Sequence, residues 1–181
     1  MAGQQIVTVA VFAMVVMSCG RTMPRSKEQS FDTTARAALQ SLERRDYVRL
    51  FGMFCYPDVA SQASDERWLT EAVQRAEETL GTATNYRPYR GVPSTYFAAV
   101  GAGNLEFWER HGNAVRYTVQ VEFSKRGRGW IFVDVTDACG GAKVKTVTYA
   151  LPAEDPAAEP AIDALLQKLQ APLSPSARHI Q

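Results

Sequence analysis

The fold is decided by residues 114–136, AVRYTVQVEFSKRGRGWIFVDVT. Apolar and polar side chains alternate in residues 114–124 and again in residues 130–136, on either side of the glycine-containing stretch KRGRG. Alternation with a period of two is typical of strands that bury one face, and such a loop between them is typical of a β-hairpin. We therefore predict an antiparallel hairpin. Two sets of side chains lie opposite each other in its second strand: Ile131, Val133 and Val135 on one face, and Trp130, Phe132 and Asp134 on the other.

Two further strands are predicted around this hairpin. Residues 104–110 alternate and end at a turn, and residues 143–151 form a last strand. The apolar positions of that last strand shift phase between Val144 and Val147, which indicates a β-bulge. Residues 81–103 show no clean period, so we expect a long irregular connection with at most one short strand.

Three helices are predicted before the strands. Ser30 is the expected N-cap of the first, Asp46 is the expected N-cap of a second that ends before Pro57, and the third covers residues 65–80 and stops at Gly81. Helices followed by an antiparallel meander predict an α+β fold. We expect the N-terminal helices to pack on a curved antiparallel sheet of about four strands.

The C-terminal part is expected to lie outside this domain. Residues 152–160, PAEDPAAEP, are predicted to be a Pro-rich linker that does not pack. Residues 161–170 are predicted to form a short amphipathic helix, and the remainder a loose end. The predicted domain therefore covers residues 30–151, and residues 152–181 form its C-terminal extension.

Part of the helical region resembles a known superfamily. Residues 42–47, LERRDY, continuing to the YPD of residues 56–58, look like the first helical pair of the cystatin-like cone domains, the nuclear-transport-factor-like group. Trp68 and the Leu80–Gly81 pair resemble a group of small periplasmic domains of unknown function within it. The likeness covers roughly residues 30–151 and implies a cone-shaped sheet. The superfamily includes isomerases, dehydratases, binding modules and dimerisation domains, so the resemblance does not imply one activity.

The N-terminus carries an apolar run, residues 6–17, IVTVAVFAMVVM. As a helix it would extend about 18 Å, which is too short for the hydrocarbon core of a bilayer but suits a signal peptide. The following residues 16–20, VMSCG, resemble the lipobox of bacterial lipoprotein precursors. That resemblance implies a signal peptide over residues 1–18 and a lipidated Cys19. An ordinary secretory peptide, or a buried helix with an inert cysteine, is the alternative.

The same resemblance implies where the protein works. Residues 19–29 would be the lipidated cysteine and a polar tether that joins the lipid to the domain. Gly20 replaces the aspartate that signals retention in the inner membrane of enterobacteria. By analogy, we expect a protein of the bacterial cell envelope, anchored by lipid in the outer membrane and facing the periplasm.

The composition excludes several functions. Twenty Lys and Arg balance nineteen Asp and Glu, which leaves a net charge of +1 and no field for binding nucleic acid. Two histidines and three cysteines are too few and too scattered for a metal cluster, and no cofactor motif is present. We therefore expect no cofactor, no metal and no nucleic-acid partner.

Two cysteines remain once Cys19 is assigned to lipid. In an exported protein Cys55 and Cys139 invite a disulfide. Two separate buried thiols that behave as small apolar side chains are an equal alternative.

The candidate chemistry is sparse. Asp134 is a weak candidate for a catalytic acid or base, provided that it lies in a cavity beside Tyr117 or Tyr149. If Ile131, Val133 and Val135 face the helices instead, Asp134 points to solvent or to a partner. Tyr117, Trp130 and Phe132 are the candidates for an apolar ligand pocket, although aromatic residues at strand spacing are more often core.

Three functional hypotheses follow. The first is a lipid-anchored envelope protein whose domain binds a partner protein or an apolar small ligand without catalysis. The second is a cone-fold enzyme of the isomerase or dehydratase type that uses Asp134. The third is a dimerising spacer or assembly factor, in which case the partner is a second copy of the chain.

Overall fold

The computed structural model describes residues 24–58, 60–102, 105–111 and 113–170. The predicted signal peptide, Cys19, nearly all of the tether before residue 25 and the last eleven residues lie outside this part. The described residues form an α+β fold of five helices and one open five-stranded antiparallel sheet, which confirms the predicted class. In chain order the elements are α1 Arg25–Arg44, α2 Tyr47–Gly52, α3 Gln62–Leu80, β1 Ala83–Pro88, β2 Thr95–Gly101, α4 Leu105–His111, β3 Val115–Phe123, β4 Gly127–Thr136, β5 Lys143–Pro152 and α5 Ala158–Gln170.

The predicted hairpin is confirmed and lies at the centre of the sheet. Strand order is β1-β3-β4-β5-β2, so β3 and β4 are flanked by β1 and β5. The register runs without interruption from Val115 opposite Val135 to Phe123 opposite Gly127. Because the pairing is continuous, every side chain of one face of β3 meets its counterpart on the same face of β4.

The connection predicted over residues 81–103 contains two strands, not one at most. β1 pairs with β3 at one edge of the sheet, and β2 pairs with β5 at the other. β1 and β2 follow each other in the chain but therefore lie at opposite edges of the sheet. The segment between them, residues 89–94, must cross the sheet, and this is why it showed no period of its own.

The strand predicted over residues 104–110 is wrong, because α4 occupies this segment. The sequence LEFWERH has apolar residues at alternate positions and also at helical spacing, and so short a run does not discriminate between the two periods.

The bulge in the last strand is confirmed. Asp134 pairs with Thr146 and Val135 pairs with Val144, so Lys145 is the extra residue.

The helical layer differs from prediction mainly at its boundaries. α1 begins at Arg25, so Ser30 lies inside the helix, and residues 25–29, predicted as tether, are helical. Asp46 caps α2 as predicted, because its Oδ1 accepts from the Arg49 backbone N–H at 3.1 Å. α3 starts three residues early and stops at Gly81, as predicted, where the backbone adopts a φ of 87°.

The core continues into α5. Residues 152–160 were predicted not to pack, yet α5 begins at Ala158, which is fully buried. Pro160 is tolerated because the first helical turn has no intrahelical partner for its N–H groups. α5 packs on α3, β2 and β5, and α1 packs on β4 and β5. None of the helices in the described residues is both long and apolar enough to span a bilayer.

A disulfide joins Cys55 to Cys139, with 5.6 Å between their Cα atoms. It links the segment after α2 to the loop between β4 and β5. Next to it the chain adds a short parallel bridge to the sheet, since the Cys55 N–H donates to the Val144 carbonyl and the Val144 N–H donates to the Met53 carbonyl. Of the two alternatives for these cysteines, the structure has the disulfide.

Candidate functional site

The two faces of the sheet carry different side chains. The inner face, toward the helices, buries the apolar set of β3 together with Ile131, Val133 and Val135. The outer face carries Trp130, Phe132 and Asp134, and the two rings form a separate small cluster with Ala150. Asp134 therefore lies on the side away from the helices, which is the second of the two orientations that the sequence left open.

Asp134 is held by three hydrogen bonds. Arg116 donates from Nε to Oδ1 at 2.8 Å and from Nη2 to Oδ2 at 2.9 Å, and Thr146 donates from its hydroxyl to Oδ2 at 2.9 Å. The side chain of Asp134 is 12% exposed, whereas that of Arg116 is 55% exposed. Both oxygens of the Asp134 carboxylate are thus occupied by a paired fork of charge-assisted hydrogen bonds and by the Thr146 hydroxyl.

Cations lie over the aromatic rings of this region. Arg116 stands 5.0 Å from the centre of the Phe132 ring, and Arg128 stands 5.5 Å from the centre of the Trp130 ring. Arg128 also pairs with Glu154 at 2.6 Å. Each guanidinium thus shields an aromatic ring from water while about half of its own side chain stays exposed.

A third cation extends the row to the end of the sheet. Lys145, the bulge residue, lies with its Nζ 5.0 Å from the centre of the Trp108 ring in α4. Burial lowers the pKa of Lys145, and the Arg116 charge lowers it further, while Asp134 opposes the shift. Trp108 is fixed in turn, since its indole N–H donates to the Ala102 carbonyl at 2.8 Å.

The segment at residues 89–94 covers part of the outer face. The Tyr89 backbone N–H donates to the Thr118 carbonyl at 3.0 Å, and the Tyr89 ring meets Trp130 edge-on at 5.8 Å. Trp130 is consequently only 4% exposed, and its buried indole N–H has no hydrogen-bond partner among the described residues. At the other end of this segment Val92 is 92% exposed.

A separate cleft of about 410 Å³ opens at the C-terminal end of α3. Its wall is polar, and both of its carboxylates are engaged. Tyr47 donates to Glu77 at 2.5 Å and Arg45 lies 3.5 Å from it, while Lys168 lies 4.0 Å from Glu78. Such a wall does not fit an apolar ligand. The lining residues are Gln74, Glu77, Glu78, Gly81, Thr82, Ser124 and Lys125.

The basic loop between β3 and β4 has a structural role. Lys125 donates from Nζ to the Glu78 carbonyl at 2.6 Å, and Arg126 donates to the Thr79 carbonyl at 3.4 Å. Both carbonyls belong to the last turn of α3, where they lack intrahelical partners. These two cations cap a helix.

The structure separates the residues that the sequence grouped. Tyr117 and Tyr149 lie on the inner face, so neither stands beside Asp134, and Tyr117 does not share a pocket with Trp130 and Phe132. Arg116 was missed, although the hairpin register alone places it opposite Asp134. Lys145 was missed because the predicted bulge does not decide which residue is the extra one, and the place of Trp108 depends on α4, which was predicted as a strand. Comparisons with protein-family models, with curated proteins and with solved structures found no match for this chain.

Proposed function

We propose that this chain is a lipid-anchored protein of the bacterial cell envelope, in the outer membrane facing the periplasm, whose domain binds a partner protein without catalysis. The outer sheet face, defined by Arg116, Arg128, Phe132 and Trp130 with Lys145 at its end, is the proposed recognition surface. The observation that carries this proposal is the fixed pair of Arg116 and Asp134. In this pair the carboxylate of Asp134 holds the half-exposed guanidinium of Arg116 in place. The candidate acid thus has a positioning role and is not left free for chemistry.

The charge distribution defines the partner's chemistry. Residues 83–152, which contain the sheet, carry nine Lys and Arg against five Asp and Glu, whereas residues 24–82 carry eight against ten. The nearly neutral chain is therefore polarised, with its basic excess in the part that forms the sheet. On the recognition surface itself Arg116 and Arg128 are each paired with a carboxylate, so only part of this basic excess is open to a partner with acidic side chains.

The disulfide supports the proposed location. Bonds of this kind form and persist in oxidising compartments such as the bacterial periplasm and are rare in the cytosol. Cys55 and Cys139 are bonded to each other, which leaves Cys19 as the remaining cysteine. The apolar run of residues 6–17 and the lipobox resemblance supply the anchor.

The anchor is tested by labelling bacteria that make the protein with a radioactive fatty acid. We expect label on the wild type and none on Cys19→Ala. The double variant Cys55→Ala/Cys139→Ala is the matched control and should keep its label, since it retains Cys19. Equal labelling of the wild type and Cys19→Ala would contradict the lipid anchor.

The recognition surface is tested with a photo-cross-linking amino acid at one of two glutamines. Gln120 lies on the outer face opposite Trp130, and Gln40 lies exposed on α1. After irradiation of intact cells we expect a discrete adduct with a second protein from position 120 and none from position 40. Adducts from position 40 alone, or from neither position, would contradict the proposal.

A further inference from the structure

The two edges of the sheet differ in how far they resist pairing with another strand. β1 carries several features that block an edge: a register shift between Thr84 and Arg87, a charged side chain at Arg87, a left-handed φ of 56° at Asn85, and Pro88, which has no N–H to donate. Bulges, charges and proline are the usual means by which proteins prevent edge-to-edge association. β1 is therefore a protected edge.

β2 carries none of these features. Its seven residues, TYFAAVG, include no charge and no proline, and they pair with β5 in an unbroken register from Thr95 to Gly101. Among the described residues, β5 is the only strand that pairs with β2, and no backbone hydrogen bond from a loop reaches its other edge. A regular, uncharged edge with free backbone groups is a template for another strand.

The side chains of β2 are complementary to those of a second β2. An antiparallel pair centred on Ala98 places Phe97 opposite the Ala99 of the other copy on the outer face. On the inner face it places Tyr96 opposite the other copy's Val100. Tyr96 and Phe97 are each only partly buried within one copy, so each has surface left to cover. Large side chains thus meet small ones, and no like charges meet.

We propose that two copies of this chain pair through β2, antiparallel and around a two-fold axis at Ala98, to form one continuous ten-stranded sheet. The interface is isologous, as in most homodimers. It would place both outer faces on the same side of one sheet. This pairing does not depend on the proposed function, because it uses the edge of the sheet and not the outer face.

The proposal is tested by the mass of the full chain in density-matched detergent, measured by sedimentation equilibrium. We expect twice the single-chain mass for the wild type. Ala99→Glu and Ala99→Lys should each weaken the dimer tenfold or more, because the pairing brings like charges together diagonally across the axis. Thr84→Lys places a charge on the protected edge, opposite Glu122 and not opposite a like charge, and should leave the dimer unchanged.

Mixing the two Ala99 variants separates a broken interface from a broken fold. A mixture of Ala99→Glu and Ala99→Lys should return to twice the single-chain mass, since opposite charges then meet. A wild type of single-chain mass, or a dimer that persists in Ala99→Glu, would overturn the proposal. So would a mixture of the two variants that stays at single-chain mass while both retain the wild-type circular dichroism spectrum.

A second measurement needs no variant. In the wild type, the β2 amides that do not pair with β5 should exchange with deuterium slowly at high protein concentration and at least tenfold faster on dilution. Fast exchange at every concentration would overturn the proposal even if the Ala99 variants fail to fold.

Discussion

The two faces of the sheet are closed by different means. The inner face is closed by helices, with apolar side chains such as Ile131 and Val133 almost fully buried beneath them. The outer face is closed in part by its own side chains, since Arg116 and Arg128 lie over Phe132 and Trp130. The difference suggests a division of roles, in which the inner face supplies stability and the outer face presents charge on a rigid surface.

The largest expected effect is at the disulfide, which ties the helical layer to the sheet. Replacing both cysteines, in Cys55→Ala/Cys139→Ala, releases a closed loop with a sequence separation of 84 residues. The chain-entropy argument gives a loss of about 4.5 kcal/mol in the free energy of unfolding. Urea unfolding measures it, with Cys19→Ala as the control that should unfold like the wild type. A loss below about 1 kcal/mol would show that the disulfide does not hold the layers together.

Next is the helical cover of the inner face. Leu165 in α5 is completely buried. Leu165→Ala should therefore cost about 3 kcal/mol, from lost burial and from the cavity left behind. Val92→Ala, at an exposed position of the segment 89–94, should change stability by less than about 0.5 kcal/mol. Similar losses in both variants, measured by urea unfolding, would contradict the comparison of the two faces.

On the outer face the expected loss of stability is smaller, and it is best measured as the coupling free energy between Arg116 and Asp134. Arg116→Ala leaves the nearly buried carboxylate of Asp134 without its main partner and should cost about 2 kcal/mol, since the exposed side of Arg116 is screened by water. A double-mutant cycle with Asp134→Ala isolates the pair and should give a coupling of about 2 kcal/mol. If the loss in the double variant equals the sum of the losses in the two single variants, the pair does not fix the guanidinium of Arg116.

The smallest expected effect is a gain on the inner face. The Tyr149 hydroxyl is buried and has no hydrogen-bond partner among the described residues, and burial raises the pKa of this tyrosine well above its usual value. Tyr149→Phe removes the unpaired hydroxyl and should stabilise the fold by about 1 kcal/mol. Tyr47→Phe is the matched control and should destabilise the fold, because the Tyr47 hydroxyl donates to Glu77. A loss of stability in Tyr149→Phe would indicate a hydrogen bond to water.

The elements that the sequence predicted correctly are those whose period is set by one buried face. The β3–β4 hairpin and the apolar stripe of α3 were predicted because each presents one side to the core. β2 was missed because it packs on both sides, so TYFAAVG does not alternate. The first turns of α1 were missed because the polar residues that precede Phe31 give no apolar signal.

The part of the site that lies on the β3–β4 hairpin could be predicted from the sequence. The hairpin register alone places Arg116 opposite Asp134, so the fixed ion pair could have been predicted from the alternation and the loop. The position of Lys145 depends on the bulge, and the cover over Trp130 depends on a segment that crosses between two edges. The phase shift in the sequence indicates a bulge between Val144 and Val147 without deciding which residue is the extra one, and the crossing segment follows from tertiary topology, which a local pattern does not contain.

The central proposal is that the outer face meets a partner in the envelope. Hydroxyl-radical footprinting tests it on the unmodified protein, by comparing the oxidation of the same side chains in intact cells and in the purified chain. We predict that Tyr89 and Trp108, at the outer face, are protected several-fold in cells, whereas Met53 and Tyr56, after α2, are oxidised equally in both. Equal oxidation of Tyr89 and Trp108 in cells and in the purified chain would contradict the proposal.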